Sequence, residues 1–243
     1  MNKKLQIALS GYGRMGREVE KVAIERGHNI IAKFDSPADW SRAAELSGKC
    51  DVMIDFSLPH TAPNAINTCF DLDIPVVSGT TNWENELALA KKRCIEEGKS
   101  FFYAPNFSIG VNIFFEINKK LAELLKNDAD YLPHIHEVHH IHKLDAPSGT
   151  AKALAGQISG ISNFFPNGWV NPGEKESGTF EVSSERQGEV PGTHIVTWSS
   201  VVDQIQITHT AHSRAGFVHG AVKAAEWLAG KKGCFGMSDM LGI

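Results

Sequence analysis

The glycine-rich segment near the start of the chain restricts the fold more than any other feature of the sequence. Gly11, Gly13 and Gly16 form a G-x-G-x-x-G pattern between a short apolar run at residues 5–11 and a helical pattern at residues 15–26. At a strand-to-helix turn, such glycines let the backbone approach a pyrophosphate at the N-terminus of the helix. The pattern therefore predicts the first βα unit of a dinucleotide-binding domain.

An acidic residue at a suitable spacing supports this prediction. Asp35 ends a predicted strand at residues 29–35, about twenty residues after the glycines, where an acid can bind the adenosine ribose hydroxyls. The alternative is a tight glycine turn followed by a solvated acid. Asp35 repels a ribose phosphate, although Lys33 and Arg14 can weaken that repulsion. We therefore expect NADH or NADPH as the cofactor, with NADH favoured.

Strand and helix patterns continue to alternate along the first part of the chain. Further strands are predicted at residues 50–56, 74–78 and 100–104, and helices at residues 63–70 and 84–97. This alternation predicts a parallel sheet with helices on both faces. We therefore expect a Rossmann domain over residues 1–107.

The pattern changes after Pro105. Helices are predicted at residues 110–125, from about Ser148 and at residues 217–228, and β-branched runs predict strands within residues 179–210. This order indicates a separate unit at residues 108–214, and we expect residues 215–243 to return to the first domain. The predicted fold class is α/β, with an N-terminal Rossmann-like parallel sheet and a second α+β domain that carries a mixed or open sheet.

The composition excludes several classes of protein. A chain of 243 residues with 42% hydrophobic and 21% charged side chains is typical of globular proteins. Its net charge of -4 and its lack of a basic tract argue against a nucleic-acid partner. The apolar run after Lys3 and Lys4 is short and breaks at glycines, so we expect no signal peptide, no membrane partner and a cytoplasmic location.

A histidine-rich segment lies in the second half of the chain. Its histidines are His134, His136, His139, His140 and His142. In the simplest interpretation it is a strand-to-helix connection with packed or solvated histidines, an account that fits His134, His136 and His142. A second interpretation is a zinc site, because residues 136–140 match the letters H-E-x-x-H of a helical metal motif. Pro133 disfavours a long helix and no third ligand follows at a familiar spacing, so we predict no metal.

The third interpretation of the segment is a site for anions and proton transfer. Histidine titrates near neutral pH and can donate a proton, and Lys143, four positions after His139, can hold a carboxylate. Ser148, Gly149 and Thr150 at a helix start offer hydroxyls and backbone N–H groups to a second carboxylate. This interpretation accounts for most of the segment.

The same residues carry a family resemblance. HHIHKLDAPSGTA, at residues 139–151, resembles the signature H-H-x-x-K-x-D-A-P-S-G-T-A of the 4-hydroxy-tetrahydrodipicolinate reductases. The resemblance extends to GYGRMG at residues 11–16, DFS at 55–57, GTT at 79–81, APNFSIGVN at 104–112, ERQGEVPGTH at 185–194, ITHTAHSR at 207–214 and FVHGA at 217–221. It covers nearly the whole chain.

The resemblance implies a role for each matching residue. It implies that His139 is the proton donor and Lys143 the catalytic lysine. Substrate contacts are expected from His140, Ser148, Gly149, Thr150 and Arg214. Cofactor contacts are expected from Gly11, Tyr12, Gly13, Arg14, Met15, Gly16, Asp35, Gly79, Thr80, Thr81, Ala104, Pro105, Asn106 and Phe107.

The resemblance also implies an activity. It is the NAD(P)H-dependent reduction of a small cyclic dicarboxylate, 4-hydroxy-tetrahydrodipicolinate, in lysine biosynthesis through diaminopimelate, by a homotetramer whose second domain binds substrate and partner subunits. Two residues depart from the family pattern: Asn82 stands where a glycine is usual, and Ile141 where a basic residue is frequent. The alternatives are another Rossmann oxidoreductase, or a cofactor-binding sensor without catalysis, which has no need for His139 and Lys143.

Overall fold

The structure is a computed structural model that describes residues 3–243. The chain divides into two compact units, one formed by the residues up to Ile109 together with Ala215–Ile243, the other by Gly110–Arg214. In chain order, the elements are β1 (Gln6–Ser10), α1 (Arg14–Glu25), β2 (Asn29–Phe34), a 3-10 helix (Asp39–Leu46), β3 (Val52–Asp55), α2 (Ala62–Asp71), β4 (Val76–Ser78), α3 (Glu84–Glu96), β5 (Ser100–Tyr103), α4 (Ile109–Leu125), β6 (Leu132–His139), α5 (Gly149–Ile161), β7 (Trp169–Val170), β8 (Phe180–Arg186), β9 (Gly192–Ser199), β10 (Gln204–Ala211), α6 (Ala215–Leu228), β11 (Gly233–Phe235) and α7 (Met237–Leu241). Within residues 3–243, none of the helices combines the length and apolar composition that a membrane crossing requires.

The first unit contains a six-stranded sheet in the order β11-β5-β4-β3-β1-β2. All of its strand pairs are parallel. Its central strands are continuous apolar runs, and all four residues of β3 are buried, as expected for a parallel sheet that is covered on both faces. The predicted Rossmann-like sheet is confirmed.

Strand β11 was not predicted from the sequence. It has three residues, and it joins the edge of the sheet by pairing Cys234 with Phe101 of β5. A run this short has no periodicity of its own. Its assignment depends on the neighbouring strand, which supplies the backbone hydrogen bonds.

Helix α6 packs closely within the first unit because several residues of its buried side are small. Gly220, Ala221, Ala224 and Ala225 are all buried on this helix. A Cβ at Gly220 would lie 1.8 Å from the carbonyl oxygen of Phe107, so only glycine permits this approach.

The second unit contains a mixed five-stranded sheet in the order β10-β9-β6-β8-β7. β6 is antiparallel to β9 and parallel to β8. Apolar side chains of α4 and α5, such as Phe114 and Leu154, form one core with residues of the sheet such as Val196 and Trp198. The predicted second domain with a mixed sheet is therefore confirmed.

The histidine-rich segment is mainly a strand, which corrects the interpretation of it as a connection. In β6, Ile135, Glu137 and His139 are buried, while His134 and His136 on the other face are half-buried. Because polar residues lie on both faces of β6, the sequence lacks the alternation of apolar and polar residues that identifies a half-buried strand. The strand also rules out the helical H-E-x-x-H geometry, because the side chains of adjacent residues 136 and 137 point to opposite faces.

Gly220→Ala is expected to destabilise the protein, because its Cβ has to separate α6 from the backbone of Phe107. Overpacking of this kind typically costs about 1–3 kcal/mol. Gly156, inside α5, has nothing within 4 Å of a Cβ. Gly156→Ala is therefore the matched control and is expected to stabilise by about 0.5–1 kcal/mol. Denaturant unfolding measures both effects, and a Gly220→Ala variant as stable as the parent contradicts the packing argument.

Candidate active site

Two glycines of the loop in the first unit leave no room for a side chain. A Cβ at Gly11, where φ is +80°, would lie 2.3 Å from the carbonyl oxygen of Phe56. A Cβ at Gly16 would lie 2.2 Å from the carbonyl oxygen of Gly11. Helix α1 begins directly after this loop, with no side-chain cap and no acid in its first turn. Its first N–H groups are therefore available to an anion, and the loop fits the pyrophosphate of a dinucleotide.

Asp35 lies beside the glycine loop, directly after β2. Its Oδ1 accepts the backbone N–H of Tyr12 at 2.7 Å. The carboxylate is exposed at one end of a cleft of about 470 Å³, whose lining also includes Gly13, Trp40 and His60. This position suits contacts with ribose hydroxyls.

Lys33 is already engaged by another side chain. Its Nζ lies 2.7 Å from Oε1 of Glu20 and donates a hydrogen bond to the Tyr12 hydroxyl at 2.9 Å. The contacts with Lys33 and Tyr12 hold the pKa of Glu20 below its usual range. Glu20 thus offsets the charge of Lys33, while Arg14 is exposed at the start of α1.

A buried carboxylate organises the loop that contains Thr80. Asp55 is fully buried at the end of β3 and accepts hydrogen bonds from the hydroxyls of Ser10, Ser78 and Thr80, each at 2.8 Å. The indole Nε1 of Trp83 donates to the carbonyl oxygen of Thr80 at 2.6 Å. These bonds join the ends of three neighbouring strands to the loop, and so determine its position.

Aromatic packing supports the same loop. A Cβ at Gly79 would lie 2.2 Å from the ring of Phe56, and that ring packs edge-on against Phe107 at 5.8 Å. Phe107 and Ala104 are buried, whereas Pro105 is exposed. Phe107 therefore supports the loop from the core.

Two further loop residues have defined positions. Asn106 accepts the backbone N–H of Ser108 through Oδ1 at 2.9 Å. Asn82, with φ of +64°, adopts the left-handed conformation that glycine adopts freely and asparagine tolerates better than most residues. Asn82 thus keeps the backbone conformation that the usual glycine of the family permits.

In the second unit, Glu137 is the centre of a buried polar cluster. Strand register places it opposite His194 of β9. Its Oε1 accepts the Ser148 N–H at 3.0 Å and Nη2 of Arg186 at 3.1 Å. Its Oε2 lies 2.8 Å from Nδ1 of His139. Glu137 is fully buried, so these groups replace the water that a carboxylate otherwise requires.

The partners of Glu137 keep it ionised. Burial alone raises the pKa of this carboxyl, but contacts with His139, Ser148, Ser184 and Arg186 lower it further, to a value well below its usual range. A carboxylate with this pKa is charged at neutral pH and can only accept hydrogen bonds.

His139 is held among close neighbours. It is 8% exposed, and its ring meets the ring of His194 edge-on at 5.0 Å. A Cβ at Gly192 would lie 2.9 Å from Nε2 of His139, so glycine leaves the space that the ring occupies. Burial, and then the nearby His139, lowers the pKa of His194 to about 4. His194 is therefore neutral at physiological pH.

The other predicted residues of this segment follow β6. Lys143 lies in a turn, where its N–H donates to the His140 carbonyl oxygen at 3.1 Å and its Nζ donates to Oδ1 of Asp145 at 2.7 Å. Ser148 is the N-cap of α5, since its Oγ accepts the Ala151 N–H at 3.2 Å.

The start of α5 and Arg214 complete the set of predicted residues. Gly149 and Thr150 form the first turn of α5, whose N–H groups have no acceptor within the helix. The side chain of Ser148 is buried, with its Oγ 3.0 Å from Nε2 of His194. Arg214 is exposed and is the last residue of the second unit.

Three side chains of the cluster have the geometry of a metal site. One ligand atom each from Glu137, His139 and His194 lies within 4.8 Å of the others. However, the guanidinium of Arg186 already binds Glu137, and a divalent cation beside it meets repulsion from this charge. Arg186 thus already supplies a positive charge next to Glu137.

Several residues of these sites were not predicted from the sequence. They are Asp55, Glu137, Arg186, Gly192 and His194. Asp55 lies in the DFS motif and the last three in ERQGEVPGTH, so the signal was present without an assigned role. In the sequence alone, Glu137 stands out only as part of the helical H-E-x-x-H motif.

Comparisons with known proteins agree across both units. The family model described as "Dihydrodipicolinate reductase, N-terminus" matches residues 5–107, and the one described as "Dihydrodipicolinate reductase, C-terminus" matches residues 110–241. A protein of Christiangramia forsetii named 4-hydroxy-tetrahydrodipicolinate reductase is 47% identical over 237 residues, with 98% of each chain covered. One of the same name from Archaeoglobus fulgidus is 36% identical, covering 98% of this chain and all of the relative.

A solved structure has the same fold. It is a dipicolinate-bound dihydrodipicolinate reductase from Paenisporosarcina sp. TG-14, with a TM-score of 0.77 and 21% identity. The match covers 98% of this chain and 99% of that one.

Proposed function

The chain belongs to the dihydrodipicolinate reductase family, which makes it an oxidoreductase of lysine biosynthesis that acts on 4-hydroxy-tetrahydrodipicolinate, and we propose that His139 and Lys143 are its catalytic residues. The overall change removes the substrate hydroxyl as water and adds a hydride and a proton. When bound, the nicotinamide supplies the hydride. The protein has to bind two carboxylates, deliver the proton and stabilise the charge that moves through the imine.

One observation carries this assignment: a buried histidine contacts an ionised carboxylate a few residues before a lysine. The carboxylate of Glu137 contacts the His139 ring at Nδ1, and a protonated imidazole is a general acid. The pairing requires no metal and leaves the second ring nitrogen of His139 to act on the substrate.

Lys143 supplies positive charge near this histidine. Its ammonium binds Asp145, and this contact lowers the pKa of Asp145. Lys143 is 21% exposed, so a substrate carboxylate can exchange with Asp145 at the ammonium group. A cation beside an electron-accepting imine stabilises the transition state more than the ground state.

The start of α5 provides the second carboxylate site in this proposal. The first-turn N–H groups of Gly149 and Thr150 and the Thr150 hydroxyl suit an anion. His140 and Arg214 are further candidates for substrate contact. The polar groups of Ser148 are bonded to Glu137, Ala151 and His194, so Ser148 acts on the substrate by holding this helix start in place.

The activity and the cofactor preference are tested together. The purified protein, coupled to an enzyme that forms the unstable substrate, is expected to oxidise NADH at least as efficiently as NADPH. Asp35 favours ribose hydroxyls, and Glu20 offsets the charge of Lys33. A preference for NADPH above about tenfold, or roughly 1.4 kcal/mol, contradicts this expectation.

Substitution of the catalytic pair is expected to lower kcat. His139→Ala is expected to reduce it by about 10²- to 10⁴-fold, the usual contribution of general acid catalysis. Lys143→Ala is also expected to lower kcat strongly. Thr150→Ala is expected mainly to raise KM, because its contact with a substrate carboxylate is equally strong in the ground state and the transition state. Lys152→Ala, at an exposed site on α5, is the control for Lys143→Ala. Near-normal kcat in the first two variants, or activity lost to chelators and restored by zinc, contradicts the assignment.

We also propose a homotetramer assembled through the sheet of the second unit. The family resemblance implies this assembly, and β10 is an edge strand of that sheet in the described chain. Ile205 on β10 and Val201 and Val202 just before it are exposed apolar side chains. An apolar strand edge of this kind is a surface that a partner covers.

Analytical ultracentrifugation at micromolar concentration is expected to show the tetramer. Ile205→Lys is expected to weaken assembly, because it places a charge on the proposed contact surface. Lys223→Ala, in the first unit, is the control. A monomeric parent protein contradicts the proposal.

A further inference from the structure

We propose that Glu137 is the positioning residue of His139, and that it determines which ring nitrogen transfers the proton. This inference rests on the proposed role of His139. In this proposal Glu137 never touches the substrate, but it controls the orientation of the His139 ring and the position of the ring proton.

The contact between Glu137 and His139 assigns the tautomer of the histidine. Oε2 of Glu137 lies 2.8 Å from Nδ1 of His139, and an unprotonated Nδ1 would hold its lone pair against this negative oxygen. Nδ1 therefore carries a proton in both charge states of the ring. Nε2 is the nitrogen that gains and loses the exchangeable proton.

Glu137 itself cannot turn away from this contact. Its other oxygen, Oε1, accepts hydrogen bonds from the Ser148 N–H at 3.0 Å and from Arg186 at 3.1 Å. The same guanidinium donates to the carbonyl oxygens of Asp145 and Glu185, both at 2.7 Å. The carboxylate is thus tied to the start of α5, to the end of β8 and to the Lys143 turn.

The ring of His139 is confined on its remaining sides. Nε2 lies over Gly192, where a Cβ would be 2.9 Å away, and the His194 ring meets it edge-on. A rotation that exchanges the two nitrogens has to break the contact with Glu137. The fold therefore holds Nε2 of His139 in one position, as proton delivery to a single substrate atom requires.

The charged and titratable groups around this cluster come from several elements. They are Glu137 on β6, Arg186 on β8, His194 on β9, His209 on β10 and Lys143 in the turn. The pKa of Glu137 is far below neutrality, and burial lowers the pKa values of His194 and His209.

The discriminating variant is Glu137→Gln, which has the same size but lacks the charge. Its amide oxygen can take the place of Oε1 and keep the bonds from Ser148 and Arg186. Its amide NH₂ then faces Nδ1 of His139 and donates to it, so the ring proton moves to Nε2. The variant is expected to invert the tautomer while leaving most of the cluster intact.

Three measurements follow from this inversion. We expect kcat to fall at least about tenfold, and by no more than the roughly 10²- to 10⁴-fold that the acid contributes. The alkaline fall of the kcat profile moves to lower pH, because the imidazolium loses its counter-charge. ¹⁵N NMR of histidine, with His139 identified by the signals lost in His139→Ala, shows protonated Nδ1 in the parent and protonated Nε2 in the variant.

Two variants serve as controls. Glu185 lies 3.5 Å from His136 on the same sheet, outside the cluster, so Glu185→Gln removes a comparable glutamate–histidine contact and is expected to keep kcat and the pH profile. Glu137→Asp retains the charge and is expected to restore the tautomer of the parent and part of kcat.

The outcomes separate this inference from the proposed role of His139. The inference is overturned by a parent protein whose neutral His139 carries its proton on Nε2, a result that needs no variant to fold. It is also overturned if Glu137→Gln keeps the parent pH profile and kcat. If His139→Ala keeps kcat while the NMR tautomer inverts as expected, the catalytic role of His139 fails and the control of its tautomer by Glu137 stands.

Discussion

The buried charge of Glu137 is the interaction on which the second unit depends. A carboxylate without access to water is strongly destabilised unless hydrogen bonds and positive charge replace its hydration. Ser148 and Arg186 do so on one side, and His139 does so on the other. Because these partners come from three different elements, the carboxylate can be satisfied only when β6, β8 and the start of α5 are in place together.

This arrangement joins stability to chemistry. The helix start that offers N–H groups to an anion is held through Ser148, which is both the N-cap of α5 and a donor to Glu137. The same carboxylate positions the ring of His139, and Arg186 links it to the turn of Lys143 through the Asp145 carbonyl oxygen. The groups proposed to act on the substrate are thus set by one buried network rather than by independent contacts.

The first unit uses the same principle at a different site. Asp55 is fully buried and is satisfied by three hydroxyls, two at the ends of parallel strands and one in the loop that follows. Those hydroxyls converge because the carboxyl ends of parallel strands meet at one edge of the sheet. The loop of Gly79 and Thr80 follows from this, with Phe56 and Phe107 packed beside it.

The sequence by itself determined the elements whose signal is local. The apolar runs of the parallel strands, the glycines of the first turn and the β-branched strands near the end of the second unit all have a short-range pattern that sets their structure. The tertiary structure alone decided β6, β11 and the partners of Glu137. The strand β6 carries polar residues on both faces, and Glu137 meets His194 and Arg186 only through strand register, across more than forty positions of sequence. No local pattern specifies such contacts, because they stabilise the protein only after distant strands have paired.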